Sequence, residues 1–445
     1  MKKRLISLAL ATMVAVTSLV GCSKKVDPSG VVEITFWHSM GGKGGEALTS
    51  LVEKFNTSQD KIYVAAEYQG TYSDSVNKLK SSMIGNSGPD VVQLYDIGTK
   101  WMIDSEYAIT MQEFIDEDNY DISQLEENIL DYYSIDGTLY SMPFNTSTPI
   151  LYYNKDVFRE AGLDPEVPPK TFDEIIEYSE KIVKKDGQNI ERYGFAMQVY
   201  GWLFEEFLSK QGLNYMNNSD GRKGNPTAVE FDSNGGGLTI FDGWKNLVDS
   251  GVVGNFGRSG DNTTDAFVAG TSAMMVASTA SLANIKNKIN GSFELGTAYI
   301  PSVNNEGKGG VSIGGASLWI MDNKNDENRE KAKAAFEFIK FLVSSESQAE
   351  WAAKTGYFPV AKSAYDLEEM KDNLNTNPEF STAIDQLRES NNKPGALLGI
   401  FPEARAVIEE NLEKLLNDEI TAQEAVDNSA DKINKSLSKY NRYNN

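Results

Sequence analysis

The 445-residue chain has only one cysteine, Cys22, and only one histidine, His38. A single cysteine excludes a disulfide framework within the chain and any cysteine-rich metal site. A single histidine excludes paired-histidine zinc motifs and leaves at most one imidazole base for a catalytic triad. Positive charge is also scarce, because 42 Lys and Arg accompany 64 Asp and Glu, which gives a net charge of −22. No basic stripe follows the extreme N-terminus, so the sequence argues against a nucleic-acid partner.

Motifs that carry catalysis or hold a metal are missing as well. The glycine-rich run Gly41–Gly45 lacks the Ser or Thr and the glycine spacing of a phosphate-binding loop, so we interpret it as a turn into the first helix. Adjacent acids such as Glu205 and Glu206 could serve a glycosidase, but they are more typical of a solvated acidic face. His38 has no accompanying nucleophile motif, and we interpret it as a structural residue. We therefore expect no catalytic residue, no metal and no cofactor.

The N-terminal segment predicts export and lipid attachment. Three of the first four residues are basic, and Leu5–Val20 is apolar with scattered Ser and Thr, as in a signal peptide. The segment ends in Leu19-Val20-Gly21-Cys22, which matches a lipobox, in which the cysteine is acylated and becomes the new N-terminus. We expect a signal peptide over 1–21, a lipid-anchored spacer over 22–30, and a location on the outer face of the cell membrane. An uncleaved transmembrane anchor is the alternative, but the apolar run is short for one.

The rest of the chain alternates between strand and helix periodicity, which predicts an α/β fold. Strands are predicted at 31–37, 61–68, 90–94, 150–153 and 194–197. Helices are predicted at 43–55, 72–83, 171–184, 327–343, 402–416 and 422–440. Thr171 and Glu174 form the sequence pattern of a capping box at the start of one of these helices.

Several short strings follow one another over nearly the whole mature chain. They are Ile34–Met40, Pro143–Pro149, Leu151–Asp156, Ala161–Pro165, Ser281–Ile285, Gly314–Trp319 and Lys354–Tyr357. Together they resemble the sn-glycerol-3-phosphate-binding proteins of ABC importers, a branch of the family 1 extracellular solute-binding proteins. The Leu151 string is common to many sugar binders, whereas the first string, the Pro143 string and the Gly314 string point to the glycerol-phosphate branch.

This resemblance implies a periplasmic-binding-protein-like fold of type II, with two α/β lobes and the ligand in the cleft between them. The chain crosses between the lobes more than once, so each lobe is discontinuous. We expect the N-terminal lobe to comprise 31–145 and 318–355, and the C-terminal lobe to comprise 147–313 and 357–440. The crossovers lie near Asn145 to Thr148 and Gly314 to Leu318, with a later return near Tyr357.

The resemblance also implies which residues contact the ligand. They are Tyr72, Asp96, Ser147, Trp202, Ser278, Gly315, Tyr357 and Arg405. Arg405 would offer a planar guanidinium to a phosphate, and the hydroxyls and the glycine N–H would add further donors. The Asp96 carboxylate would accept from glycerol hydroxyls, and Trp202 would cover the carbon skeleton.

Three positions depart from the family pattern and bear on ligand identity more than on the fold. Asp96 stands where the family usually has Glu, which shortens the reach of the carboxylate by one methylene. The stretch Gln198–Tyr200 replaces a tryptophan-rich stretch, and Leu397 stands where a basic residue sometimes occurs.

The function implied by the resemblance is non-enzymatic capture of a solute and its delivery to the transmembrane subunits of an ABC permease. The expected ligand is sn-glycerol 3-phosphate or a glycerophosphodiester such as glycerophosphocholine. A neutral sugar, an oligosaccharide or a polyol is the alternative ligand, and a surface hydrolase on the same scaffold is an alternative from a different class. A monomer is expected, held to the membrane by the lipid on Cys22.

Overall fold

The computed structural model describes residues 30–85, 87–304, 309–324, 326, 329–390 and 395–444. The predicted signal peptide and Cys22 lie outside the described residues. Within these ranges, no helix is both long and apolar enough to cross a membrane. The same ranges contain no group of three or more His, Cys, Asp or Glu side chains placed to hold a metal ion.

Fifteen strands are present in the described ranges. They are β1 Val32–His38, β2 Ile62–Tyr68, β3 Val91–Tyr95, β4 Ala108–Ile109, β5 Ser134–Ile135, β6 Thr138–Leu139, β7 Met142–Ser147, β8 Pro149–Asn154, β9 Lys184–Asp186, β10 Asn189–Arg192, β11 Phe195–Met197, β12 Val253–Gly254, β13 Met274–Ser278, β14 Leu295–Tyr299 and β15 Gly314–Met321.

The α-helices surround these strands. They are α1 Gly42–Ser58, α2 Tyr72–Ile84, α3 Thr99–Ser105, α4 Met111–Asp118, α5 Glu127–Tyr133, α6 Lys155–Glu160, α7 Phe172–Ile182, α8 Gly201–Lys210, α9 Asn217–Asp220, α10 Gly236–Asp249, α11 Gly260–Val268, α12 Leu282–Ile289, α13 Glu330–Leu342, α14 Ser345–Thr355, α15 Glu368–Thr376, α16 Thr382–Glu389, α17 Phe401–Leu416 and α18 Ala422–Tyr443. Short 3₁₀ turns at Asp96–Gly98 and Thr279–Ser281 follow β3 and β13.

Two mixed sheets organise the molecule. The first has the order β2-β1-β3-β15-β4, with β7 also paired to β15, and the second has the order β12-β11-β13-β8-β14. In the first sheet β1 runs parallel to β2 and β3, whereas β15 is antiparallel to β3, β4 and β7. In the second sheet β11 runs parallel to β12 and β13, and β8 is antiparallel to β13 and β14. Helices pack around each sheet, as the alternating periodicity predicted.

The chain passes between the two sheets more than once. β7 belongs to the first sheet and ends at Ser147, whereas β8 belongs to the second and begins at Pro149. The chain returns to the first sheet between the end of β14 and the start of β15 at Gly314. A third passage follows α14, where Phe358 bridges to Thr146, and α16 then packs on β8 and β14.

Local sequence signals explain where several helices begin. Thr71 and Asp74 form a complete capping box at the start of α2. The capping box expected at Thr171 forms only in part: its hydroxyl accepts from the Glu174 N–H, but the Glu174 carboxylate accepts from the N–H of Lys170 instead. This carboxylate therefore satisfies a donor one residue before the cap.

Candidate ligand-binding site

The predicted ligand contacts follow the carboxyl ends of strands in both sheets. In the first sheet Tyr72 opens α2 after β2, and Asp96 follows β3 directly. In the second sheet Trp202 follows β11 in the first turn of α8, and Ser278 is the last residue of β13. Open α/β sheets bind ligands in the crevice outside the carboxyl ends of their strands. All four predicted contacts thus lie at or after the carboxyl ends of strands, two in each sheet.

The crossing strands contribute the glycine of the site. Gly314 and Gly315 of β15 pair with Ser147 and Thr146 of β7. Gly315 has a φ of 111°, and a Cβ atom built there would lie 1.9 Å from the carbonyl oxygen of Asn145. A side chain at this position would require both a strained backbone and displacement of a neighbouring strand. The glycine is therefore a steric requirement of the strand crossing.

Arg405 is buried and already paired with carboxyl groups of the protein. Its Nε donates to Glu205 Oε1 at 2.7 Å, and its Nη2 donates to Glu205 Oε2 at 2.8 Å. The same Nη2 lies 3.3 Å from Asp96 Oδ2. Because α17 packs against α8, whereas Asp96 follows a strand of the first sheet, this contact joins the two lobes across the cleft. The guanidinium expected to meet a phosphate is thus already engaged by two carboxyl groups of the protein.

Burial sets the ionisation of this cluster. Only 8% of the Arg405 side chain and 7% of the Asp96 side chain are exposed. Burial raises the pKa of Asp96, and the Arg405 guanidinium offsets part of that rise. Burial likewise raises the pKa of Glu205 to about 6, against the opposing effect of Arg405. At neutral pH the Glu205 carboxylate therefore remains mostly ionised beside the Arg405 guanidinium.

Glu206 lies next to Glu205 on α8 but faces a different neighbour. It is fully buried, and its two carboxyl oxygens lie 2.8 Å and 3.1 Å from the Oγ and N of Ser312, in the segment that returns to the first sheet. Burial, opposed by the bonds to Ser312, raises the pKa of Glu206 to about 8, so the group is mostly protonated at neutral pH.

The expectation that Glu205 and Glu206 form a solvated acidic face is therefore wrong. The physical reason is that α8 is buried on nearly every side. Buried members of this helix include Trp202, Leu203, Phe204, Phe207 and Leu208. The apolar residues on both sides of the pair are the sequence signal that could have identified it.

Two of the predicted ligand contacts, Tyr72 and Tyr357, belong to stacked aromatic pairs. Tyr72 stacks on Tyr95 with ring centroids 5.4 Å apart and an interplanar angle of 21°. Its hydroxyl accepts from Asn145 Nδ2 at 2.9 Å. Tyr357 stacks on Trp351 at 5.6 Å and 18°. Burial and then the neighbouring Tyr357 raise the pKa of Tyr72, which keeps its hydroxyl protonated and able to donate.

Trp202 forms a wall of the site on the side of the second lobe. A Cβ atom at Gly314 would lie 2.6 Å from Trp202 Cζ2, so the indole packs directly on the crossing strand. Trp202 Nε1 is buried and has no hydrogen-bond partner in the described part of the chain. Trp202 and Ser278 both line a cavity of about 310 Å³. Tyr200 also lines this cavity and holds its ring 5.7 Å from the Arg405 guanidinium.

His38 lies at the end of β1 with its ring 5.9 Å from that of Tyr68. Its Nδ1 accepts from the N–H of Met40 at 3.3 Å, and burial lowers the pKa of the imidazole to about 4. A neutral imidazole fixed by a backbone hydrogen bond agrees with the structural interpretation of this residue.

The structure thus brings the predicted residues into two neighbouring groups. Tyr72, Asp96, Tyr357 and Arg405 interact through hydrogen bonds or charge, and Trp202 and Ser278 share the cavity. Ser147 and Gly315 belong to the crossing strands between them. Sequence reasoning missed Glu205, Asn145 and Tyr200 as members of the site.

Of the positions that depart from the family pattern, Leu397 is buried and its N–H donates to the carbonyl of Asp220 at 2.8 Å.

Two sheets joined by crossing strands, with polar and aromatic side chains between them, define a two-lobed binding protein that holds a small solute in its cleft. The sequence model of the bacterial extracellular solute-binding protein family matches residues 50–381. The chain belongs to this family. It is a solute-binding protein of an ABC importer and not an enzyme, which confirms the sequence-based interpretation.

Curated relatives cover nearly the whole chain. The chain is 33% identical over 425 residues to the sn-glycerol-3-phosphate-binding periplasmic protein UgpB of Escherichia coli K12, with 93% of this chain and 94% of the relative covered. It is also 33% identical over 425 residues to the UgpB protein of Shigella flexneri, with the same coverage. These matches confirm the resemblance to the glycerol-phosphate branch.

Solved structures show the same fold. UgpB from Mycobacterium tuberculosis in complex with glycerophosphocholine has a TM-score of 0.78 and 23% identity, covering 93% of this chain and 100% of that chain. The GacH receptor of Streptomyces glaucescens, solved unliganded and with acarbose, has a TM-score of 0.77 and 21% identity, covering 92% and 99%. Maltose-bound MalE3 of T. maritima has a TM-score of 0.75 and 22% identity, covering 92% and 100%. The expected type II fold with two lobes is thereby confirmed.

Proposed function

We propose that this protein captures sn-glycerol 3-phosphate or a glycerophosphodiester outside the cell and delivers it to an ABC permease. The observation that carries the proposal is the buried Arg405 guanidinium between the lobes, next to the Asp96 carboxylate. A guanidinium suits a phosphate, and a carboxylate suits the hydroxyls of a glycerol moiety. The names of the curated relatives support the same ligand class.

In this proposal each contact has one role. Arg405 donates to the phosphate through Nη1, which has no hydrogen-bond partner among the described residues. The Asp96 carboxylate accepts from glycerol hydroxyls, and Trp202 covers the carbon skeleton. The remaining proposed contacts are the hydroxyls of Tyr72, Ser147, Ser278 and Tyr357 and the N–H of Gly315.

A neutral sugar, an oligosaccharide or a polyol is the second candidate ligand. One observation favours it: Arg405 is paired with both Glu205 and Asp96, so the cluster offers no excess positive charge to an anion. Relatives with the same fold include proteins solved with acarbose and with maltose.

Calorimetric titration separates the two ligand classes. The purified mature protein is titrated with glycerol 3-phosphate, glycerophosphocholine, glycerol and maltose. The proposal expects a phosphate ester of glycerol to bind more tightly than glycerol or maltose. If maltose or glycerol binds as tightly as either phosphate ester, the phosphate-binding function is abandoned in favour of a neutral solute.

We also propose the arrangement of the chain at the cell surface. The mature protein is a monomer tethered by lipid on Cys22 to the outer face of the membrane. Its lobes comprise 31–145 with 318–355, and 147–313 with 357–440, and they close on the ligand by a hinge motion at the crossing strands.

A further inference from the structure

We propose that Glu205 sets the charge selectivity of the cleft by competing with the ligand phosphate for Arg405. It selects against phosphate monoesters, which carry two negative charges, and favours phosphodiesters, which carry one. The inference rests on the proposed function, because it assumes that a phosphate approaches Arg405.

The geometry of the ion pair supports this role. Glu205 engages both Nε and Nη2 of Arg405, and a second carboxylate, Asp96, lies beside the same Nη2. Such a two-point contact uses the edge of the guanidinium that otherwise fits two phosphate oxygens. A phosphate must therefore displace Glu205 from this edge or bind through Nη1 alone.

The charge of the cluster supports the same conclusion. One guanidinium is paired with two carboxyl groups at a place where the side chains are 7% to 12% exposed, so the cluster offers no excess positive charge to a ligand. Solvent screens buried charges weakly, so a ligand with two negative charges is repelled more strongly than a ligand with one. A phosphodiester that carries a quaternary ammonium balances its own charge and avoids most of this repulsion.

Other ionisable groups also act on Glu205. Three acidic side chains lie near Glu205: Asp96 after β3, Glu206 on α8 and Glu409 on α17. Each of them, when ionised, raises the pKa of Glu205 through charge repulsion. The hydroxyls of Tyr132, Tyr200 and Tyr215 lie within electrostatic reach of it. Burial is the largest cause of the raised pKa of Glu205, about 6, so this carboxylate loses its charge in mildly acidic solution.

The test compares Glu205→Gln with wild type by calorimetry at about pH 7. Glutamine keeps the size of the side chain and an acceptor oxygen but removes the negative charge. We expect glycerol 3-phosphate to bind the variant about tenfold more tightly or better, glycerophosphocholine to change less, and glycerol to remain unchanged. Glu206→Gln is the matched control: it alters the neighbouring buried acid, which is mostly protonated at this pH, and should leave all three affinities as in wild type.

A pH series adds a second readout. Glycerol 3-phosphate itself gains a proton near pH 6, as phosphate monoesters do, whereas the diester glycerophosphocholine keeps one negative phosphate charge throughout. Wild-type affinity for glycerophosphocholine should rise as the pH falls through about 6, and the rise should be smaller in Glu205→Gln. Every other ionisable group of the cluster is the same in both proteins, so the difference between the two affinity curves reports Glu205.

Each other result overturns the inference in a distinguishable way. Unchanged selectivity between the two phosphate esters in Glu205→Gln shows that Glu205 does not compete for Arg405. An equal loss of affinity for both esters shows that it only positions the guanidinium. If neither ester binds to wild type or variant, while glycerol or maltose does, the proposed function fails together with the inference.

Discussion

Replacing Arg405 with alanine gives the sharpest test of how the cleft recognises its ligand. Arg405 has two hydrogen bonds to Glu205 and one to Asp96, and only Nη1 remains for a ligand. A phosphate bound through that nitrogen loses one charge-assisted hydrogen bond, about 1.5–3 kcal/mol. The variant also exposes the ligand to two unpaired carboxylates, which raises the expected loss to about 2–5 kcal/mol, the scale of broken buried charge pairs.

For a neutral polyol the same change removes an ordinary donor and should cost only about 1 kcal/mol. Titration calorimetry against glycerol 3-phosphate and glycerol measures both losses. Lysine at this position should restore part of the phosphate affinity, because an ammonium keeps the charge but lacks the planar donor geometry. Arg159→Ala serves as the matched control, since this arginine pairs with Asp156 and Glu294 on the surface of the second lobe and is about half exposed.

The reasoning is refuted if Arg405→Ala binds glycerol 3-phosphate as tightly as wild type. It is also refuted if the losses for glycerol and for its phosphate are equal. Removing the guanidinium leaves Glu205 and Asp96 buried without a cation, so thermal unfolding must be recorded in parallel. Affinities are compared only if the variant unfolds cooperatively and is still folded at the temperature of the titration.

Three further results are expected. Gly315→Ala should lower the free energy of unfolding in urea by at least about 2 kcal/mol, because φ is 111° and the added Cβ would overlap the Asn145 carbonyl oxygen. Gly291→Ala is the control: its φ is also positive but the space around it is open, so the change should cost only about 1 kcal/mol. Equal costs would show that the strand crossing tolerates a side chain. Burial raises the pKa of Glu206 to about 8, so the folded state holds its proton more tightly than the unfolded state, and wild-type stability should fall as the pH rises from about 4.5 to 8. In Glu206→Gln the free energy of unfolding should fall over this pH range by on the order of 3–5 kcal/mol less than in wild type. If stability depends on pH in the same way in wild type and variant, the raised pKa of Glu206 is refuted. Replacing Cys22 with Ser should release the protein into the medium or leave the precursor unprocessed, and a correctly cleaved variant that stays membrane-bound in a fractionation experiment would show that lipid is not the tether.

The positions of the main helices and strands could be predicted because burial imposes a period on the sequence. The helix expected at 43–55 is α1, which buries Ala47, Leu48, Leu51, Val52 and Phe55 on one face. The helix expected over 327–343 corresponds to α13, Glu330–Leu342, and its expected first two positions, 327 and 328, lie outside the described residues. The wrong interpretation of Glu205 and Glu206 arose because adjacent acids are common on surfaces, and only the packing of α8 buries them.

The candidate site was predicted only in part, because its decisive contacts join distant residues. Arg405 meets Glu205 across 200 positions and Asp96 across 309. No local pattern encodes such a pairing, since it depends on how two lobes and two helices come together. The family resemblance singled out Arg405 and Asp96 as expected ligand contacts, but it did not indicate that the guanidinium is already paired with Asp96 and Glu205.

The sequence by itself determined the alternation of strands and helices, the small number of titratable imidazole and thiol groups, and, through its family strings, membership in the solute-binding proteins. These properties depend on composition, local periodicity and short motifs, which need no knowledge of distant contacts. Only the tertiary structure decided which lobe each strand joins, why Gly315 must lack a side chain, and how Glu205 and Asp96 share the charge of Arg405. Charge recognition in the cleft depends on distances and burial, and those quantities exist only once the chain has folded.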